Sequence, residues 1–470
     1  MLCEARSLAR ATAHYVVNAP IVKRSLSPGQ DLFLHPPSGS WVVVPSGVAP
    51  AVEAILRLAE ADALDDVPDS DIGVIARKLH AAGLLAQHGR SAWSGRAVET
   101  RNTKVNTLIL KMVGYCNIAC TYCYDFSSAS YKSRLTVEQG CKAVDGALAR
   151  AGNRLNVLFH GGEPLLAFEA IRAIAAHAKA AAAARNIEIL LSIQTNGTRF
   201  DDATVPFLIE NEFSVGISLD GPAEINDAHR ITFGGAGTHD RIVTLLERYP
   251  ELLKRLGVLT TVTRRNCAEL LPIARAFRDM GIQCWDVTVF QAAGRGSLQE
   301  DKFAPDTDIL IGSYFALMDA IENGEMDTIE IRPILHYLRN LLSFDRRNMC
   351  LRDACGAGRD LVSVSADGKV EACDCISNPD LSIGHLDQGG IEVALASPTA
   401  ERIRGRTTAK LEPCSSCDWR TVCGGTCLAK AGEVSVVDAA ECKMSMAIFP
   451  ELLRRLGRSP ALARYAERFA

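Results

Sequence analysis

The sequence predicts an α/β protein organised around an open, partial (β/α)6 TIM-like barrel, with a small α+β module ahead of it and a cysteine-rich domain behind it. Three observations carry that prediction. Between residues 105 and 325, short β-rich runs alternate with longer helical patterns, as parallel strands with right-handed crossovers require. The residues before that stretch run strands first and helices second. Most of the sixteen cysteines fall into two tight groups, one early in the barrel and one after it.

Composition narrows the class. A chain of 470 residues has room for several domains and ample core. The net charge of −4 is dispersed, which gives no electrostatic case for a nucleic-acid partner. No apolar run approaches the roughly 20 residues of a membrane span. The first ten residues lack the apolar core of a secretory signal. Clustered cysteines without such a signal point to metal ligation in a reducing compartment, not to disulfides. The expectation is a cytoplasmic metalloenzyme with no membrane partner.

Residues 1–95 read as a separate module. Strands are expected at 14–17, 31–34 and 41–44, divided by Pro and Gly turns. A helix over 49–61 would bury Val52, Ile55, Leu56 and Leu58, and one over 71–85 Ile72, Val74, Ile75, Leu79 and Leu84. Gly83-Leu84-Leu85 closes the module, and 91–104 reads as a linker.

The barrel, 105–325, has strand candidates at 106–112, 155–159, 188–193, 213–218, 257–263 and 284–290, with the clearest helix over 166–185. A helical connector begins within 303–323. Chemistry in such barrels sits on loops after the C-terminal strand ends. Cys116, Cys120 and Cys123 follow the first strand at CxxxCxxC spacing, with Tyr122 just before the last. Three thiolates do not complete a tetrahedral zinc site. They do hold three irons of a [4Fe–4S] cube and leave the fourth open to a small molecule.

After the second strand come His160, Gly161, Gly162, Glu163 and Pro164. Paired glycines let backbone approach a ligand closely, and exposed amides there would hold a carboxylate or ammonium group. Asn196-Gly197 follows the third strand and Ser218-Leu219-Asp220-Gly221 the fourth; each alone reads as an ordinary turn. Thr260, Thr261, Thr263 and Gln291 line either a substrate cavity or the core.

The domain over 345–445 holds Cys350, Cys355, Cys373, Cys414, Cys417, Cys423, Cys427 and Cys442. Eight thiolates make two four-cysteine iron–sulfur clusters, although spacing alone also admits zinc at the CxxC pair. A hairpin around Asp367-Gly368 would bring Cys355 and Cys373 together. Asp374 is either an exposed turn aspartate or a proton acceptor beside a cluster. Cys375 has no obvious slot, and Cys3, Cys141, Cys267 and Cys284 read as buried hydrophobes. Residues 446–470 have helical spacing and should pack on the barrel.

The cysteine triad and the Gly-Gly-Glu-Pro segment together resemble the radical S-adenosylmethionine (SAM) superfamily, and the later strand ends resemble its branch that includes sulfatase maturases. The C-terminal spacing resembles the SPASM extension of that superfamily. The N-terminal pattern resembles winged-helix peptide-recognition modules fused to peptide-modifying enzymes; a structural cap without a ligand is the competing reading. The resemblance implies reductive cleavage of SAM to a 5′-deoxyadenosyl radical, with three [4Fe–4S] clusters. It implies cofactor contacts from Tyr122, Gly161, Gly162, Glu163, Asn196, Ser218 and Asp220, with Tyr122 by the adenine. His160 and Asp374 become the catalytic candidates. Cys350, Cys355, Cys373 and Cys427 would hold the first auxiliary cluster, and Cys414, Cys417, Cys423 and Cys442 the second. The implied function is an oxidative crosslink (carbon–carbon, thioether or ether) in a ribosomally made precursor peptide. The module would read the peptide's leader as an added strand, and a flavodoxin or ferredoxin would donate electrons. Formylglycine formation on a sulfatase is the alternative in the same chemistry. A non-catalytic iron–sulfur scaffold is the alternative in another class, against which the open-corner triad argues.

Overall fold

The structure, a computed structural model, describes residues 14–65, 70–87, 90–91, 104–125, 132–343 and 348–470. The first ten residues, Cys3 and most of the expected linker lie outside that set. The N-terminal strands build two small sheets. One has the order β5-β1-β6-β7, from β1 (His14–Val17), β5 (Leu64–Asp65), β6 (Leu85–Gln87) and β7 (Arg90–Ser91). The other is an antiparallel meander of β2 (Val22–Ser27), β3 (Gln30–His35) and β4 (Ser40–Pro45).

Two helices, Ala49–Glu60 and Asp71–Ala81, cover this module. The Ser70 side chain caps the second by accepting from the Gly73 amide at 3.0 Å. That helix stops at Ala81, short of the expected 85, because Gly83 adopts a φ of +81° and turns the chain into β6. Leu58, Ile72 and Val74, expected in the core, face solvent at 39%, 46% and 42% exposure.

The module is less separate than its pattern suggests. Successive residues of β3 point to opposite faces. Phe33 therefore joins the module's own core with Tyr15, Val52 and Ile55, while Leu32 and Leu34 join the main core of the protein. Trp41 Nε1 donates to the Leu341 carbonyl at 2.9 Å, and Thr421 Oγ1 to the Pro36 carbonyl at 2.6 Å.

The barrel strands form within two residues of their expected bounds. They are β8 (Thr107–Lys111), β9 (Arg154–His160), β10 (Glu188–Thr195), β11 (Ser214–Ser218), β12 (Leu256–Val262) and β13 (Cys284–Val289). All pair in parallel with their sequence neighbours, and β14 (Glu330–Ile331) extends the far edge. Alternating burial along β12 shows why a strand forms there: Leu256, Val258, Thr260 and Val262 are buried and the residues between them are not.

At the near edge the cysteine-rich domain continues the same sheet. Strand β15 (Leu361–Val364) runs parallel to β8, with Leu361 opposite Thr107 and Val364 opposite Leu110. The hairpin to β16 (Lys369–Glu371) forms as expected, with Gly368 at a φ of +88°, and β17 (Gly384–His385) completes a ten-stranded sheet.

The C-terminal helices, Ala439–Leu456 and Ala461–Arg468, pack back on the barrel's far side. There Tyr465 donates to the Ile329 carbonyl at 2.6 Å and accepts from the Ile331 amide at 2.8 Å. No helix among the described residues is long and apolar enough to cross a membrane.

Candidate active site

The chain leaves β8 through Met112, whose amide bonds the His160 carbonyl at 2.8 Å, and enters the cysteine loop. The glycine segment after β9 is stitched to this loop. The Gly162 amide donates to the Val113 carbonyl at 2.8 Å and the Glu163 amide to the Tyr115 carbonyl at 3.1 Å. Those amides, expected to be free for a ligand, are consumed in holding the two strand ends together. Gly161 adopts a φ of +121°, and a Cβ there would stand 2.6 Å from the Val113 carbonyl oxygen. Only glycine permits that approach.

Glu163 is fully buried and does not line the cavity. Its carboxylate accepts from the Leu165 amide (3.1 Å), Thr195 Oγ1 (2.7 Å) and the Asn196 amide (2.8 Å), so it ties the end of β9 to the end of β10. Burial raises its pKa, and these hydrogen bonds oppose that rise. Asn196 reaches the triad directly, its Nδ2 lying 3.4 Å from Cys116 Sγ and 2.9 Å from Asn117 Oδ1. The Ser218 hydroxyl accepts from Gln194 Nε2 at 3.0 Å.

Asp220 also lies behind the wall, 1% exposed. The Tyr122 hydroxyl donates to it at 2.5 Å and the Thr261 amide at 3.0 Å. Arg230 completes a buried triad, its Nη1 donating to the Tyr122 hydroxyl at 2.6 Å and lying 4.0 Å from Asp220 Oδ1. Asp220 thus holds Tyr122 and Arg230 in place, and those two line the cavity.

The cavity has about 970 Å³ of empty space including its open mouth, a size suited to a small-molecule cofactor. The triad, Gly161, Gly162, Asn196 and Ser218 line it together with His160, Tyr124, Gln291, Arg295 and Cys375. Burial pushes Cys116 up to about 11 and Cys123 up to about 12, so both thiols keep their protons until a bound metal displaces them into solvent. Burial lowers the pKa of His160 and keeps its ring neutral.

Lys111, Asp125 and Tyr124 carried no signal in the sequence, yet they build the wall toward Asp374. Lys111 ends β8 and is 8% exposed; its Nζ donates to Asp125 Oδ1 at 2.9 Å and lies 5.6 Å from the Tyr124 ring centre. Burial alone would lower its pKa, but the carboxylates of Asp125, Glu371 and Asp374 outweigh that and raise it. The Tyr124 hydroxyl donates to Asp374 Oδ2 at 3.3 Å. Asp374 is therefore a partly buried, hydrogen-bonded group lining a second pocket, not a solvated turn residue. Arg230 was equally illegible, a lone arginine in an irregular segment.

In the cysteine-rich domain every described cysteine is a free thiol. The thiols of Cys417, Cys423 and Cys442 lie near that of Cys414. Around Cys350 the thiol neighbours are Cys355, Cys427 and Cys375. The Nε–H groups of Arg352 and Arg406 are buried without a hydrogen-bond partner among the described residues, and both guanidinium groups lie among these thiols. Cations placed so fit anionic iron–sulfur clusters, whose charge they would offset.

A three-thiol loop at the mouth of a partial barrel and a second, thiol-rich domain in the same sheet define an iron–sulfur metalloenzyme with an open-corner site. Residues 110–289 match the model of the radical SAM superfamily, and residues 355–418 match SPASM, an iron-sulfur cluster-binding domain. A serine-type anaerobic sulfatase-maturating enzyme from Klebsiella aerogenes is 24% identical over 337 residues, 70% of this chain and 82% of that protein. Native anSMEcpe, solved with bound AdoMet, matches with a TM-score of 0.66 at 22% identity, over 77% of this chain and 99% of that one. SuiB from Streptococcus suis, solved bound to precursor peptide SuiA, matches with a TM-score of 0.55 at 15% identity, over 91% of this chain and 99% of that one. The chain carries a radical SAM domain and a SPASM domain. It is a radical SAM enzyme, homologous to the anaerobic sulfatase-maturating enzymes, that uses SAM and iron–sulfur clusters.

Proposed function

We propose that this enzyme installs an oxidative crosslink in a ribosomally synthesised precursor peptide whose leader is held by the N-terminal module. The observation that carries the reading is the module itself, fastened to the main core through Leu32, Leu34 and Trp41. Matching architecture extends over 91% of this chain in the peptide-bound SuiB comparison but 77% in that with anSMEcpe. An open sheet edge in such a module can take an extended peptide as an added strand.

With the cofactors bound, the cluster held by Cys116, Cys120 and Cys123 would supply the electron that cleaves SAM into methionine and a hydrogen-abstracting 5′-deoxyadenosyl radical, and the auxiliary clusters would accept the electron left on the substrate. This chain's residues do the rest. Tyr122, locked by Asp220 and Arg230, shapes the adenine side, and Asn196 orients Cys116. His160, held neutral, and Asp374, held by Tyr124, face the substrate; Asp374 takes the proton released when the substrate radical is oxidised. A flavodoxin or ferredoxin is the fitting electron donor.

Formylglycine formation is the second reading, favoured by the sulfatase-maturating relatives and by Asp374. One experiment separates them. Anaerobically reconstituted, reduced enzyme is given SAM and the peptide encoded beside its gene, and mass spectrometry follows 5′-deoxyadenosine and the peptide together. A peptide lighter by one pair of hydrogen atoms, with the crosslink located by fragmentation, supports the crosslinking reading. An unchanged precursor together with formylglycine formed in a sulfatase peptide overturns it in favour of the second.

A further inference from the structure

The first auxiliary site has one thiol too many. Cys373, Asp374 and Cys375 bring their ligand atoms within 4.8 Å of one another. Asp374 accepts from both thiols, at 3.6 Å from Cys373 Sγ and 3.7 Å from Cys375 Sγ. Cys375 is among the thiol neighbours of Cys350, with Cys355 and Cys427. It is also held in register with the rest of the site. Gln291, the second residue after β13, donates from one amide nitrogen to the Cys375 carbonyl at 2.9 Å and to the Ala429 carbonyl at 3.1 Å. A single side chain thereby clamps the Cys375 segment to the segment that carries Cys427. Finally, Cys375 lines the main cavity, and Cys373 does not.

Four iron corners thus face five candidate thiols: Cys350, Cys355, Cys373, Cys375 and Cys427. We infer that Cys373 and Cys375 are alternative ligands for one corner of the first auxiliary cluster, with Cys375 approaching it from the cavity side. Exchange between them is balanced. One iron–thiolate bond forms as the other breaks, the incoming thiol's proton passes to the outgoing thiolate, and no electron moves. Whichever thiol is off the iron keeps a hydrogen bond to Asp374. The consequence is that this cluster can change its ligand on the substrate side without losing its fourth thiolate.

The test counts iron and sulfide and records electron paramagnetic resonance spectra of the reduced full-length protein. Cys116, Cys120 and Cys123 are all replaced by Ala, so that only the auxiliary clusters remain, at about eight irons per chain. Cys373→Ala and Cys375→Ala should each keep about eight after mild oxidation with ferricyanide, with the resonance of one cluster altered. The double variant leaves that cluster three thiolates and an open corner, so the same oxidation should remove the corner iron and give a [3Fe–4S] resonance at about seven irons. The signal of the cluster held by Cys414, Cys417, Cys423 and Cys442 reports that the domain still folds. Loss of iron or a [3Fe–4S] resonance in either oxidised single variant overturns the proposal, because the other thiol then fails to substitute. Retention of about eight without a [3Fe–4S] resonance in the oxidised double variant overturns it as well. If the double variant does not fold, the two single variants decide.

Discussion

Replacing Asp220 with Ala tests whether a buried carboxylate behind the cavity wall holds the cofactor side of the site together. The substitution removes the acceptor of the Tyr122 hydroxyl at 2.5 Å and of the Thr261 amide at 3.0 Å. It also leaves Arg230, 6% exposed, without the carboxylate 4.0 Å away. Breaking a buried ion pair by deleting one partner costs about 3–5 kcal/mol, and orphaning a buried donor about 1–3 kcal/mol. The two effects overlap at one guanidinium and one phenol, so a total near 4 kcal/mol is expected. For a barrel that melts as one unit, that is a fall of about 10 °C in the apparent melting temperature. Asp202→Ala is the control, since its carboxylate is 75% exposed and its pair with Arg248 contributes little. Asp220→Asn should fall between the two, because it keeps the shape and part of the hydrogen bonding. The assay is anaerobic differential scanning fluorimetry at one scan rate, with iron content matched. A melting temperature for Asp220→Ala within about 2 °C of the Asp202 control would refute the assignment of a structural triad.

Four further outcomes follow from the same geometry. Cys120→Ala should abolish 5′-deoxyadenosine release and lower iron by about a third, and continued release of the nucleoside would show that the triad is misassigned. Gly161→Ala forces a Cβ to 2.6 Å from the Val113 carbonyl at a φ of +121°, so it should cost about 3 kcal/mol or more and lose SAM binding by isothermal calorimetry; unaltered binding counts against the stitched-loop reading. Asp374→Asn should leave nucleoside release intact while product formation stalls, and an unchanged product yield would remove the proton-acceptor role.

The last outcome concerns pH. The folded His160 pKa lies below 6.5, so as pH falls through 6.5 the unfolded chain takes up a proton that the folded one refuses, and stability drops. His160→Gln should therefore lose less apparent melting temperature than the wild type between about pH 7.5 and pH 5.5. Part of the slope should persist, because burial also lowers His35 and His229. Identical slopes would contradict a buried neutral ring.

What was legible in the sequence was periodic or spaced. The barrel strands are short apolar runs, and the thiol sets announce themselves by interval. The second strand of the N-terminal module, Val22–Ser27, escaped notice because Lys23, Arg24 and Ser25 give it no apolar alternation. The module's fusion to the main core was hidden because Leu32, Phe33 and Leu34 look alike in sequence, while the pleat sends them to two different cores. The amides of Gly162 and Glu163 seemed available because their acceptors, Val113 and Tyr115, lie in a separate loop. Burial of polar groups was the least legible property. Nothing local says that Glu163 and Asp220 sit behind the wall while Arg230, from an irregular segment, sits in it.

The parallel pairing of β15 with β8 bears on how this enzyme could be re-engineered. The cysteine-rich domain is not a bead on a string that can be exchanged at a linker. Its first strand borrows the backbone hydrogen bonds of the strand that launches the triad, Ser363 lying opposite Ile109 only a few residues before Cys116. A chimera that swaps this domain must therefore match a sheet edge in register, and a slip of one residue would turn the Cys373 segment to the wrong face. Lengthening the connection between the domains should be tolerated far better than changing the four residues of β15, because the spacing of the redox centres is set by strand pairing and not by tether length.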